Sequence, residues 1–571
     1  MDAFAAHRVQ FGVFIGVFVL VTVVGFLAAR WRRPENIHTL EEWGLGGRAF
    51  GNWVTWFLLS GDIYTAYTFV AVPTLLYGIG AGGFFAIPFL VILYPLLYVL
   101  LPRFWSVAHV NGFVTPAEFV RARFGSRTLG LFVAVTGILA TMPYIALQLL
   151  GIQAVFKVMG IPGGWPLTIS FVVLALYTFI SGLRAPALIS IVKDALILWT
   201  ILAAILMVVT TSGGWAGLFH SAGAKFAASP NPTDGLLLTP SGQLSYVTLA
   251  LGSALALFLY PHTLTGALAA RSRGTIKRNL VALPVYTLML GFVALLGFAA
   301  IAGDARPLGD DKNTIIPHLL DSAFPAWSGG LALAAIGVGA MVPAAIMSIG
   351  AANLYTRDIY RAYIRPNATP VQEARVSQIA SLTTKLGALL VIALFNTQFA
   401  IELQLIGGVL ILQTLPAIAL GLRSGWAHRG ALAAGLVAGL TTGLFMLYQI
   451  PLLGGPTGRT VMHAHFGGSA WPLSHLGLHT GASVYVGLLA LLVNLVVVLV
   501  GTPLLNVLGV PAGVDRTRPE HYVADEGDAD VHHMTGLIDG DYVLDRPYLA
   551  SSANQNSSAN QSPDKPAVIR R

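Results

Sequence analysis

Three observations predict an all-α protein that crosses a lipid bilayer many times. Hydrophobic residues make up 55% of the 571-residue chain and charged residues only 10%, against about 25% charged in an ordinary soluble domain. Apolar runs long enough for a spanning helix recur along the chain, and the mean hydropathy is +0.73. Basic residues gather in alternate loops between these runs. So few charges cannot cover the surface of a soluble protein this long, which excludes a soluble enzyme, a nucleic-acid binder and a disordered scaffold. The formal net charge of +8 therefore belongs to cytoplasmic helix ends rather than to a nucleic-acid face. The chain has no cysteine, hence no disulfide framework, thiol nucleophile or thiolate metal site.

Thirteen apolar runs are expected to span, near 10–30, 51–78, 81–102, 129–158, 165–182, 189–211, 242–269, 279–302, 329–353, 376–396, 400–422, 430–450 and 482–503. The first is too long for a signal-peptide core, and Arg30, Arg32 and Arg33 follow it rather than precede it. That order puts the N-terminus outside. With this orientation 19 Lys and Arg fall in inside loops and six outside. Thirteen spans then leave the C-terminus in the cytoplasm. Residues 1–512 form the transmembrane domain. Residues 513–571 are polar, with an acidic stretch and the run SSANQNSSANQS, and read as a largely disordered cytoplasmic tail.

Two spans carry signals for a broken helix. The second reads FLLSGDIYTAYTFVAVP, with Gly61 and the ionisable Asp62 near its middle. The seventh reads LALFLYPHTLTGALAAR, where Pro261 removes a backbone donor beside His262 and Thr263. A kink and an interhelical hydrogen bond would explain either one alone. Their separation by five spans is more specific. An odd offset makes the second copy run the opposite way, so spans 2–6 and 7–11 form an inverted repeat with one broken helix leading each half.

Several segments in this order resemble the sodium:solute symporter family over roughly residues 40–425. They are EEWGLGGRAFG, VTPAEFVRARFGSRTLG, YTFISGLRAPALISIVKDALI, LYPHTLTGALAARS and TRDIYRAY. WGLGGRAFG and SGDIYTAYTFVAVPTLLYG are most like bacterial monocarboxylate permeases, which import lactate, pyruvate and related acids. The resemblance implies the five-plus-five inverted-repeat fold, with one helix in front and two behind, in the bacterial cytoplasmic membrane. It also implies secondary active import of a small monocarboxylate by cation symport. The alternative is sodium symport of another small solute such as proline, pantothenate or urea.

The family's sodium site is implied to use the carbonyls of Gly61 and Tyr64 and two hydroxyls of the ninth span. Counting back from Asp358, those hydroxyl positions hold Val342 and Pro343, which offer no side-chain oxygen. Sodium needs a full oxygen shell, so coupling to a proton is favoured over sodium. Lys193 and Asp194 in the sixth span are the groups that could replace the ion, with Asp62 as counter-ion or second proton carrier. Lys193 could instead snorkel to the cytoplasmic interface near Arg184.

A small carboxylate needs hydrogen-bond donors. The half-helix after Asp62 is expected to offer backbone N–H groups at its start. Thr65 and Thr68 share a face of that half-helix, and the resemblance implies a substrate contact at Thr68. Tyr144 and Gln148 share a face of the fourth span, and Tyr260, His262 and Thr263 accompany the seventh-span break. Ordinary helix–helix hydrogen bonding is the alternative role for each. His463, His465, His475 and His479 read as a solvated loop rather than a metal centre. No Walker A motif or catalytic order is present, so no ATP-binding subunit, bound cofactor or enzymatic activity is expected. The expected partners are the carboxylate, the co-transported ion and the bilayer.

Overall fold

The computed structural model describes residues 7–31, 38–161, 164–211, 213–231, 233–394, 400–454, 460–478 and 480–526, with 534–535 and 543–544. Each of the thirteen apolar runs is helical. Nine helices among the described residues are long and apolar enough to cross a membrane. Ile401–Thr414 with Pro416–Arg423, bent by 42°, makes a tenth. Their outer faces carry exposed Leu202, Leu206, Val247, Leu288, Leu390 and Val500. Such faces have no place in water and suit lipid tails.

The helices run α1 (Arg8–Leu27), α2 (Leu40–Leu45), α3 (Asn52–Ile63), α4 (Val72–Ile79), α5 (Ala86–Asn111), α6 (Pro116–Phe124), α7 (Arg127–Val158), α8 (Trp165–Ser181) and α9 (Arg184–Thr211). Then follow α10 (Gly214–Ala227), α11 (Pro240–Leu259), α12 (Pro261–Leu268), α13 (Arg273–Ala282), α14 (Pro284–Ala294), α15 (Leu296–Ala302) and α16 (Ile315–Ala323). The remainder are α17 (Ala326–Leu354), α18 (Pro370–Leu394), α19 (Ile401–Ile411), α20 (Arg429–Gln449) and α21 (Val486–Val507). Two small antiparallel hairpins lie in the loop before α21. They are β1 (Leu452–Gly454) with β2 (Thr460–His463) and β3 (Ala470–Pro472) with β4 (Ser483–Tyr485).

Helix α17 is the central post. Its apolar length is buried throughout, and α1, α7, α9 and α18 pack around it. Small residues let neighbours approach closely. A Cβ on Gly350 of α17 would lie 3.0 Å from the backbone at Pro261 and His262. One on Gly151 of α7 would lie 2.4 Å from the Ala66 methyl. Both glycines therefore sit where a helix lies against one of the two predicted breaks.

One end of the helix bundle is held by buried charge. Thr115 and Glu118 close a capping box on α6. The Thr115 hydroxyl then donates to Asp358 at 2.7 Å. Asp358 also pairs with Arg121 at 3.4 Å. Glu373 takes Arg361 at 2.7 Å and Arg357 at 3.5 Å, and Arg184 meets Glu42 at 2.5 Å. The pairs occupy a partly buried interface where screening by water is reduced.

The start of the expected disordered tail is packed instead. Tyr522 is buried between the guanidinium groups of Arg103 and Arg123, 5.3 and 5.5 Å from its ring centre. Ser106 donates to the Ala524 carbonyl at 2.6 Å, and the Arg273 N–H donates to Asp525 at 2.9 Å. One aromatic side chain and a few backbone groups thus tie a polar segment across α5, α6 and α13. Composition alone hides such an anchor. The tail beyond Glu526 lies almost wholly outside the described residues.

Candidate transport site

The second span breaks after Tyr64, slightly later than Gly61 and Asp62 suggest. Helix α3 runs through Ile63, Tyr64 is extended at φ −89° and ψ 95°, and a π-helical turn, Tyr67–Ala71, leads into α4. The seventh span breaks where the sequence places it. Tyr260 is extended at φ −60° and ψ 136°, and Pro261 starts α12.

Lys193 on α9 reaches across to the first break. Its Nζ donates to the Gly61 carbonyl at 3.1 Å and the Tyr64 carbonyl at 2.9 Å. Asp194 Oδ1 lies 3.2 Å from the same nitrogen. Asp194 Oδ2 accepts from Ser60 at 2.6 Å and from the Tyr286 hydroxyl at 2.9 Å. Lys193 and Asp194 are 0% and 1% exposed, so the ammonium is inside the protein rather than snorkelling to the interface near Arg184. A buried ammonium with carbonyl and carboxylate oxygens around it is arranged as a bound cation would be. The side chain of Asp62 lies outside the described residues.

Ser60 and Tyr286 belong to this site and were not singled out from sequence. Ser60 stood in the quoted SGD segment without a role. Tyr286, in the eighth span, looks like any aromatic in an apolar run, and only its fold neighbours reveal it. Trp56 Nε1 donates to its hydroxyl at 3.1 Å, and its carbonyl accepts from the Tyr64 hydroxyl at 2.7 Å.

The predicted substrate residues fall into two adjoining groups. Around the first break, Gln148 Oε1 accepts from the Ala66 N–H at 3.0 Å. The Tyr67 N–H donates to the Thr65 hydroxyl at 3.0 Å, and the Thr68 and Phe69 N–H groups donate to the Thr65 carbonyl at 3.0 and 3.2 Å. These N–H groups were expected to be open for a carboxylate, and they are already taken. The Thr68 hydroxyl likewise gives its proton to the Ile63 carbonyl at 2.5 Å. Thr65 and Thr68 therefore hold the break in shape. Two donors stay open there, Gln148 Nε2 and the Tyr67 hydroxyl, both buried with no hydrogen-bond partner among the described residues.

The second group lies one turn away on α7, about 6 Å along the helix. The Tyr144 ring centre is 5.3 Å from that of Tyr260 and 5.5 Å from that of His262, and Tyr260 and His262 are 5.1 Å apart. Tyr260 donates to the Gln404 carbonyl at 3.1 Å. Thr263 is 5% exposed. Helix α7 thus joins both breaks, with Gln148 at the first and Tyr144 at the second. Every one of these side chains is buried.

The loop histidines do not converge. His465 stacks on Tyr448 at 3.8 Å between ring centres, and His479 lies outside the described residues. Among those residues no three His, Cys, Asp or Glu side chains gather as a metal site would require.

A helical membrane protein with two interrupted spans meeting around a buried polar centre belongs to the class of secondary transporters. The family follows from comparison: residues 43–439 match the sodium:solute symporter family, and the chain belongs to it. A monocarboxylate transport permease of Rhizobium johnstonii is 48% identical over 86% of this chain and 96% of its own. The sodium/pantothenate symporter of Escherichia coli is 26% identical over 77% of this chain and 91% of its own. Among solved structures, a Na+-coupled sialic acid symporter in a substrate-bound outward-open state superposes with a TM-score of 0.68. It covers 87% of this chain and 97% of its own at 16% identity, a likeness of fold.

Proposed function

We propose that the chain imports small monocarboxylate anions, lactate or pyruvate in class, together with a proton. The N-terminus is outside and the C-terminus inside the bacterial cytoplasmic membrane. The observation that carries the coupling is the contact of Lys193 with the Gly61 and Tyr64 carbonyls. The protonated amine bridges α9 to the broken helix through those carbonyls. Loss of its proton removes the charge that grips them and frees α9 to part from α3. Reprotonation restores the bridge. One lysine carries one proton, so one proton accompanies one carboxylate and the exchange is electroneutral. Gln148 Nε2 is the donor offered to the carboxylate, and the clustered Tyr144, Tyr260 and His262 rings offer apolar contact to a short carbon chain.

The substrate class is supported by the 48% identity to a monocarboxylate permease along nearly the whole of that relative. The second reading is sodium symport of another small solute, favoured by the 26% identical sodium/pantothenate symporter. Uptake into proteoliposomes separates the two. An inward proton gradient in sodium-free buffer should drive accumulation of radiolabelled lactate or pyruvate, with choline in place of sodium making no difference. Strict sodium dependence would overturn the proton reading, and uptake of pantothenate or proline in preference to two- to four-carbon acids would overturn the substrate.

A further inference from the structure

A second lysine lies buried within the membrane-spanning helices, outside the site above. Lys385 on α18 is 1% exposed. Its Nζ donates to the Ser381 hydroxyl at 2.9 Å, and among the described residues no carboxylate lies within ion-pair distance. Lys193 has a carboxylate beside it and Lys385 has none. An ammonium without a counter-charge is costly in so dry a place, so the polar groups nearest to it matter.

Polar neighbours extend from it on one side only. Glu373, Ser377, Ser381 and Lys385 recur every four residues and form one stripe along α18. The stripe faces α17 and its π-helical continuation, Tyr355–Ile364. Ser381 donates to the Ser348 hydroxyl at 3.0 Å, and Ser348 donates to the Ala345 carbonyl at 2.8 Å. One turn nearer the cytoplasm, Ser377 donates to Asn353 Oδ1 at 3.3 Å, and Asn353 Nδ2 reaches the Gly44 carbonyl at 3.4 Å. The stripe ends at Glu373, paired with Arg357 and Arg361. Twelve residues of helix put Glu373 about 18 Å from Lys385.

Other elements packed on α18 bring few charges. Helix α2 carries Glu41 and Glu42, paired with Arg48 and Arg184 at the cytoplasmic edge. Helix α7 presents Met142 beside Gly387, with Tyr144 turned to Tyr260, and α8 holds the buried Tyr177. Two short hydrogen-bonded groups, one at Ser381 and Ser348 and one at Ser377 and Asn353, thus lie along one face of α18 between the ionic cluster and Lys385.

We propose that Lys385 is a second proton-binding group and that the seam between α17 and α18 connects it to cytoplasmic water. The ammonium passes its proton to a water in the seam, leaving the neutral amine and a hydrated proton on the inner side, and the reverse step reloads it. This rests on the proton-coupled reading, with Lys385 serving the inner side of the cycle.

Two measurements test it, and neither requires a driving gradient. The chain has no native cysteine, so Ser377→Cys and Ser381→Cys each give a unique thiol. A small charged thiosulfonate added from the inside should label both, and the same reagent outside should label neither. Lactate counterflow, with equal pH held outside, should depend on internal pH in the wild type. Lys385→Met should flatten that dependence at least five-fold with protein abundance retained. Ser381→Ala, which removes the amine's hydrogen-bond partner, should shift the profile along the pH axis without flattening it. Unlabelled thiols, or an internal-pH profile unchanged in Lys385→Met, would overturn the proposal. A wild type that counterflows but ignores a proton gradient would instead sink the proton-coupled reading, with the labelling and counterflow results standing apart from it.

Discussion

The Lys193 ammonium lies 2.9 Å from the Tyr64 carbonyl, at the point where the second span leaves its helix. A side-chain cation thus satisfies backbone oxygens that the break would otherwise leave bare. Its removal strands those oxygens and Asp194 in the interior, and breaking a buried ion pair costs about 3–5 kcal/mol. We therefore expect Lys193→Ala to abolish proton-driven accumulation and to lower thermal stability. Asp194→Asn in the same chain should restore part of the stability and none of the coupling. Proton-driven lactate uptake in the single variant at wild-type rate would refute the role of Lys193.

Val342 and Pro343, in the middle of α17, stand where the family resemblance implies two sodium-binding hydroxyls. If the lysine replaces the ion, clearing it and supplying oxygens should let sodium in. The triple variant Lys193→Ala, Val342→Ser, Pro343→Ser is expected to acquire sodium-stimulated uptake that the wild type lacks. Uptake measured in sodium against choline checks this, and equal rates in both would count against the equivalence of the two cations.

Gln148 holds the Ala66 N–H through its oxygen and leaves its nitrogen open. Gln148→Leu removes both, and losing a hydrogen bond to a charged group costs roughly 1.5–3 kcal/mol. The half-saturating lactate concentration should rise by about ten-fold or more. Gln148→Glu keeps the acceptor but sets a negative charge against the substrate, and it should be worse still. Concentration-dependent uptake with abundance controls reads both, and an unchanged half-saturation in the leucine variant would remove Gln148 from the carboxylate site.

The breaks were legible because proline and glycine act on the backbone locally, and Pro261 broke the helix where it stands. The first break slid past Gly61 because Ser60, Gly61 and the residues to Ile63 still complete α3, and the carbonyls there are held by Lys193. The family segments were legible and lie away from the buried centre. EEWGLGG, VTPAEFVRARFG, SGLRAPAL and TRDIYRAY meet at one end of the helix bundle, where Glu42 pairs with Arg184 and Thr115 with Asp358. Their charges make them conspicuous in an apolar sequence, as Lys193 and Asp194 are, while Ser60 and Tyr286 beside those two look ordinary. The donors of the half-helix were misjudged because sequence does not show that Thr65 turns back to satisfy them.

The packed start of the tail lies across α5, α6 and α13 at the end of the bundle that carries the buried charges, with Tyr522 between two arginines. Each cation–π contact of this kind is worth about 0.5–2 kcal/mol. Truncation after residue 511 should therefore lower the unfolding temperature, and Tyr522→Ala should reproduce a large part of that loss. Removal of residues 530–571 alone should leave stability unchanged. Thermal unfolding in detergent compares the three, and an unaltered midpoint after the longer truncation would show that the segment contributes nothing.

On the opposite face, Lys225 of α10 packs its ammonium over the Tyr77 ring, 3.3 Å from the centre. Burial first, and the nearby positive charge of Lys312 second, lower its pKa to about 8, while Asp234 opposes the shift. Burial likewise lowers Lys312 and raises Asp234. In an unfolded chain a lysine titrates near 10.4. Between about pH 8 and that value the unfolded state binds the extra proton, so stability rises with pH across this window and the cost of the charged form is borne in full below it. Lys225→Met should flatten this alkaline rise and stabilise the protein at pH 7. The gain is smaller than full burial would give, since the ammonium keeps partial access to water. Unfolding midpoints from pH 6 to 10 decide the matter: wild type and variant rising in parallel would mean that Lys225 titrates as a solvated lysine does.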